Sequence, residues 1–102
     1  MAFEPVWRSA ETDILVKALL FLQNEEDVNR FLDDLCTIAE IKALGQRLAV
    51  AQLLTKEATY SAIVTATGAS TTTVSRVKRA LNYGSDGYKR VLTRMDKEIV
   101  YE

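Results

Sequence analysis

The chain has 102 residues, 48% apolar and 26% charged, with a formal net charge of −1, one cysteine and no histidine. Its length predicts a single domain whose small core would gain from oligomerisation, and no apolar run is long enough to cross a bilayer. A lone Cys36 excludes an internal disulfide, the lack of histidine removes the usual zinc sites, and residues 1–9 lack a signal-peptide apolar segment, so a cytoplasmic protein with no metal or cofactor and no membrane association is expected.

Residues 1–8 read as an arm, interrupted by Pro5, in which Phe3, Val6 and Trp7 are apolar enough to seek a partner subunit. Ser9 then caps a helix over residues 10–22, with Ile14, Leu15, Ala18, Leu19 and Leu22 on one broad face. Asn24 caps a second helix. Glu25, Glu26 and Asp27 lie at its positive end, and Val28, Phe31, Leu32 and Leu35 repeat at helical spacing. Thr37 and Glu40 form a capping box that opens a third helix to residue 54. Its apolar residues Ile41, Leu44, Leu48, Val50, Ala51, Leu53 and Leu54 cover more than one face, which predicts a central element of the core or of a dimer. Cys36 reads as a small core residue.

Residues 59–82 organise the rest. Thr59 caps a short helix with Ile63 and Ala66 on one face, and Gly68 supplies a tight or left-handed turn. Ser70 caps a longer helix in which Val74, Val77 and Leu81 form a buried stripe. That is the layout of a helix-turn-helix, whose second helix enters the DNA major groove. The run Ser70-Thr71-Thr72-Thr73-Val74 has strand-like composition, but the glycine turn, the cap and the continuing helical period oppose a strand. Thr71, Thr72 and Ser75 are hydroxyl-bearing candidates for base contacts on the outer face. Arg76, Lys78, Arg79 and Asn82 follow, and the cations suit phosphates. Residues 83–87 form a glycine-marked turn, and a last helix over 86–95 offers Tyr88, Val91, Leu92 and Met95, with a fraying tail beyond Asp96. The expectation is an all-α fold of six helices and no strand.

Charge is divided along the chain. Residues 1–55 hold five cations against nine acids, a net of −4, whereas residues 58–95 hold six cations against Asp86 alone, a net of +5. A basic half fits a nucleic-acid-facing surface. The plainer alternatives are a solvated basic face and a packed helical hairpin. Catalysis is not expected: no nucleophile–base pair is readable, and adjacent Asp33 and Asp34 diverge on a helix. A helical protein-interaction module working through the acidic half remains the competing reading.

Two blocks, Ala43-Leu44-Gly45-Gln46-Arg47 and Gly68-Ala69-Ser70-Thr71-Thr72-Thr73-Val74-Ser75-Arg76, resemble the Trp repressor superfamily, and specifically its short members from Gram-positive bacteria. The resemblance covers residues 10–95 and implies an intertwined all-α homodimer with residues 10–58 in dimerisation, residues 59–82 as the DNA-reading motif and residues 83–102 as a C-terminal helix and tail. It implies double-stranded DNA binding through Thr71, Thr72, Thr73, Ser75 and Arg76, with Lys78 and Arg79 on phosphates and Lys89 or Arg90 adding to them, in a transcriptional regulator that acts as a repressor. The family's two ligand-holding arginines match Arg47 and Arg76. The glycine beside the second is Val77 here, and the serine that meets the ligand's amino group is Ala80. A branched side chain fills the slot and a methyl accepts no hydrogen bond, so L-tryptophan binding in the family manner is not expected and any small-molecule effector is unknown. Arg47 is expected to pair with a core carboxylate or a dimer carbonyl instead.

Overall fold

Helix starts follow from short polar side chains. In the computed structural model, which describes the backbone of residues 2–101 and the side chains of residues 2–97, Ser9 Oγ accepts from the Thr12 N–H at 3.1 Å and Thr12 Oγ1 accepts from the Ser9 N–H at 2.7 Å. This reciprocal pair opens α1 (Ala10–Leu20). Asn24 Oδ1 accepts from the Asp27 N–H at 2.9 Å, and the Asp27 carboxylate accepts from the Gln23 N–H at 3.1 Å, opening α2 (Glu25–Leu35). Then come α3 (Ile38–Thr55), α4 (Tyr60–Thr67), α5 (Thr71–Tyr83) and α6 (Gly87–Tyr101). Among the described residues there are six helices and no strand, as the periodicity predicted.

The chain divides into two compact units, the first ending at Thr37 and the second starting at Ile38. In the first, neither α1 nor α2 buries a residue. Of the apolar face expected on α1, Ile14, Leu15 and Leu19 are exposed and Ala18 and Leu22 half-buried; Leu20, off that face, is exposed too. Arg8 ties the arm to α1 through ion pairs of 3.0 Å with both Glu4 and Asp13, which raise its guanidinium above the ordinary value, Glu4 foremost. Both pairs are exposed and contribute little stability.

In the second unit α3 is central and packs on α4, α5 and α6. The core is Val50, Ala51, Ile63, Ala69, Val74, Val77, Leu81 and Leu92, with Leu48, Leu53, Leu54, Tyr60, Val64 and Tyr88 packed around it. α3 ends in a Schellman motif: the Ala58 N–H bonds the Leu53 carbonyl at 3.1 Å and the Glu57 N–H bonds the Leu54 carbonyl at 3.0 Å. The left-handed position in it, φ +60°, is held by Glu57.

Four expectations are corrected. α1 stops at Leu20 rather than residue 22, because the N–H groups of Phe21 and Leu22 bond three residues back, to Ala18 and Leu19, and tighten the last turn. α6 continues to Tyr101 rather than ending at Met95, since residues 96–101 hold no glycine or proline to stop it; Glu102 lies outside the described residues. Ala66 is exposed, and Ala69, carried inward by the turn, fills the core beside Ile63. Cys36 is half-buried rather than in the core; it is the C-cap of α2, its N–H bonding the Leu32 carbonyl at 2.9 Å.

Candidate nucleic-acid interface

The turn between α4 and α5 is built from side chain–backbone hydrogen bonds. Thr59 Oγ1 accepts from the Ala62 N–H at 3.1 Å to start α4. At its end Gly68 adopts φ +72°, a conformation a side chain resists, and its N–H bonds the Val64 carbonyl at 2.9 Å. Thr67 Oγ1 donates to the Ile63 carbonyl at 2.7 Å and accepts from the Ala69 N–H at 3.1 Å. Gln46 Nε2, on α3, donates to the Thr67 carbonyl oxygen at 3.3 Å, filling an acceptor that the end of α4 leaves open. Ser70 Oγ then accepts from the Thr73 N–H at 3.1 Å and α5 begins.

Val74, Val77 and Leu81 bury one face of α5. The opposite face presents Thr71, Thr72, Ser75, Arg76 and Arg79, which line one shallow hollow of about 340 Å3. No acidic residue lies on this helix, so the face combines hydroxyl donors and acceptors with guanidinium forks and no competing carboxylate. This arrangement can hydrogen-bond base edges near its start and phosphates further along.

Two of the sequence-predicted residues stand apart. Thr73 is half-buried and its hydroxyl accepts from Ser70 Oγ at 3.1 Å, so it serves the cap rather than the outer face. Lys78 is exposed but lies on the α4 flank, its ammonium 5.5 Å from the centre of the Tyr60 ring, within cation–π range. Neither Tyr60 nor Gln46 was singled out by sequence reasoning. No local signal marks either one, since both act through contacts between helices. Tyr83, assigned to the turn, is the last residue of α5. On α6, Lys89 is exposed and Arg90 pairs with Asp86 at 3.5 Å.

The two arginines matched to ligand binding differ in setting. Arg76 lines the outer hollow, whereas Arg47 is exposed and outside it, and no core carboxylate pairs with Arg47 among the described residues. Val77 is 3% exposed and part of the core. Ala80 is half-buried and faces a second hollow, of about 580 Å3, lined also by Leu48, Tyr88 and Val91. Among the described residues no cluster of acids or cysteine could hold a metal ion, and no helix is long and apolar enough to cross a membrane.

The family model described as "Trp repressor protein" matches residues 10–96. The chain belongs to the Trp repressor family. It is 53% identical over 88 residues to the uncharacterized protein YerC of Bacillus subtilis (strain 168), covering 86% of this chain and 85% of that one. A solved TrpR-like protein from Eubacterium eligens ATCC 27750 superposes with a TM-score of 0.84 at 45% identity, over 87% of this chain and 92% of that one. A second solved structure, from Staphylococcus aureus, gives a TM-score of 0.83 at 48% identity, over 87% and 89%. These likenesses set the chain among the short Trp-repressor-like proteins of Gram-positive bacteria, a family of DNA-binding, non-enzymatic regulators built on a helix-turn-helix.

Proposed function

We propose that this protein is a sequence-specific double-stranded-DNA-binding transcriptional regulator that works as a homodimer and represses. The observation that carries the reading is the acid-free outer face of α5. Thr71, Thr72 and Ser75 stand where a recognition helix meets base edges, with Arg76 and Arg79 behind them. Lys78, beside Tyr60, adds a phosphate contact on the flank. The homodimer reading rests on α1 and α2, which bury no residue and leave large aliphatic side chains in solvent. In a two-fold dimer the recognition helices would stand about 34 Å apart and demand a roughly palindromic site.

Selection of duplexes from a genomic fragment library by the purified protein, at low and moderate salt, tests this. Enrichment of a palindrome with half-sites one helical turn apart is the expected result, with affinity falling steeply as salt rises. Salt-sensitive retention of all fragments alike would leave a general DNA binder. No retention even at low salt would favour a protein-interaction module.

A further inference from the structure

Resting on that DNA-binding reading, we propose that Tyr83 is an additional contact residue of the duplex interface, donating its phenolic hydrogen bond to a backbone phosphate. At about 100° per residue, Thr72, Arg76, Arg79 and Tyr83 fall within roughly 60° of one another, on the side of α5 away from Val74, Val77 and Leu81. Tyr83 is 85% exposed, the most exposed aromatic side chain among the described residues, so core packing does not account for it. At a rise of about 1.5 Å per residue it stands roughly 16 Å along the axis from Thr72, more than the about 12 Å width of the major groove. With the start of α5 in the groove, the Tyr83 hydroxyl therefore meets the sugar–phosphate wall rather than base edges. A phenol is a good donor to a phosphate oxygen.

The surroundings favour an anion over an apolar partner. Arg79 lies one turn back on the same stripe, Arg76 two turns back, and the adjacent Asn82 is polar and exposed. The backbone after Tyr83 is also constrained. The chain turns at Gly84, whose N–H bonds the Ala80 carbonyl at 2.9 Å, and a Cβ at Gly84 would collide with that same carbonyl oxygen. Tyr83 thus stands at a defined end of α5, its side chain in solvent.

Tyr83→Phe removes the hydroxyl and keeps the ring. Binding of the full chain to a mixed-sequence duplex and to any enriched palindrome is measured across a salt series. The variant is expected to bind both more weakly, by about tenfold for each protomer's lost hydrogen bond to a charged group and so about a hundredfold for the dimer. The slope of log affinity against log salt is expected to stay unchanged, because a neutral phenol releases no counterion. Tyr83→Gln, which keeps a donor, should bind more tightly than Tyr83→Leu, and wild-type thermal melting of each variant checks the fold. Unaltered affinity of Tyr83→Phe, or an altered base preference, overturns the proposal and leaves the DNA-binding reading standing. Absence of salt-dependent duplex binding by the wild-type protein overturns both.

Discussion

Thr72 and Arg79 share a stripe on α5 but differ in what they can read. A guanidinium meets any phosphate, so Arg79→Ala is expected to weaken binding to all duplexes alike and to reduce the salt slope by about 0.9 for each protomer's lost phosphate contact, about 1.8 for the dimer. A hydroxyl carries no net charge and discriminates between neighbouring base edges. Thr72→Val is therefore expected to reorder the preferred sequences, by about 1–3 kcal/mol at one base pair, with the slope unchanged. Fluorescence anisotropy across a salt series separates the two, and wild-type behaviour in both variants would move the reading face elsewhere. Val77 and Ala80 lead to a negative expectation: titration calorimetry with L-tryptophan should give no micromolar binding. The Val77 side chain belongs to the core, and the Ala80 methyl offers no acceptor to an ammonium group.

Among the described residues the left-handed conformation appears three times, once on a glycine, Gly68, and twice on residues with a side chain, Glu57 beyond α3 and Asp86 before α6. Gly68 takes φ +72° at the end of α4, and Glu57 takes φ +60° beyond α3. Gly68→Ala is expected to cost about 1 kcal/mol or slightly more, whereas Glu57→Gly relieves strain of the same origin and is expected to gain up to about 1 kcal/mol. Thermal midpoints at one fixed protein concentration should shift in opposite directions, by several degrees each. A destabilised Glu57→Gly variant would show that its side chain contributes more than its backbone costs. Helix starts were legible in the sequence because a cap is a local event: Ser9, Asn24, Thr59 and Ser70 each accept from an N–H three residues on. Ends and flanks were less so. The stop of α1 at Leu20 depends on tightened hydrogen bonds that no residue type announces, and Ala69 enters the core only because the turn redirects the chain. Within the candidate site, Thr71, Thr72, Ser75, Arg76 and Arg79 were readable from helical period alone. Thr73 sits half-buried beside the cap, which period does not reveal, and the approach of Lys78 to Tyr60 joins two helices.

At the scale of the molecule the unfinished feature is α1. Phe21 is 79% exposed, and Ile14, Leu19 and Leu20 are exposed as well, more apolar surface than an isolated small domain ordinarily leaves in water. Sedimentation equilibrium is expected to return a dimer for the wild-type chain and a shift toward monomer for Ile14→Asp, with loss of binding to a palindromic site. In a monomer, a charge at so exposed a position would be close to neutral for stability. A wild-type protein that stays monomeric at micromolar concentration would remove the dimer from the proposal. Single-chain periodicity gave the faces of α1 and α2 but not what covers them, because that burial would be completed by a second chain.

The hydrogen bond from Gln46 to the Thr67 carbonyl joins residues 21 positions apart and ties α3 to the pivot of the reading motif. Together with the packing of α3 on α4 and α5, it positions the start of α5 from α3 as well as through the turn. In a two-fold dimer the separation between the two reading heads would then be a property of α3, and operator choice would have two independent settings. In that dimer, residues on α5 would decide which letters are accepted in each half-site, and the α3 contacts, Gln46 among them, would bear on the spacer between half-sites.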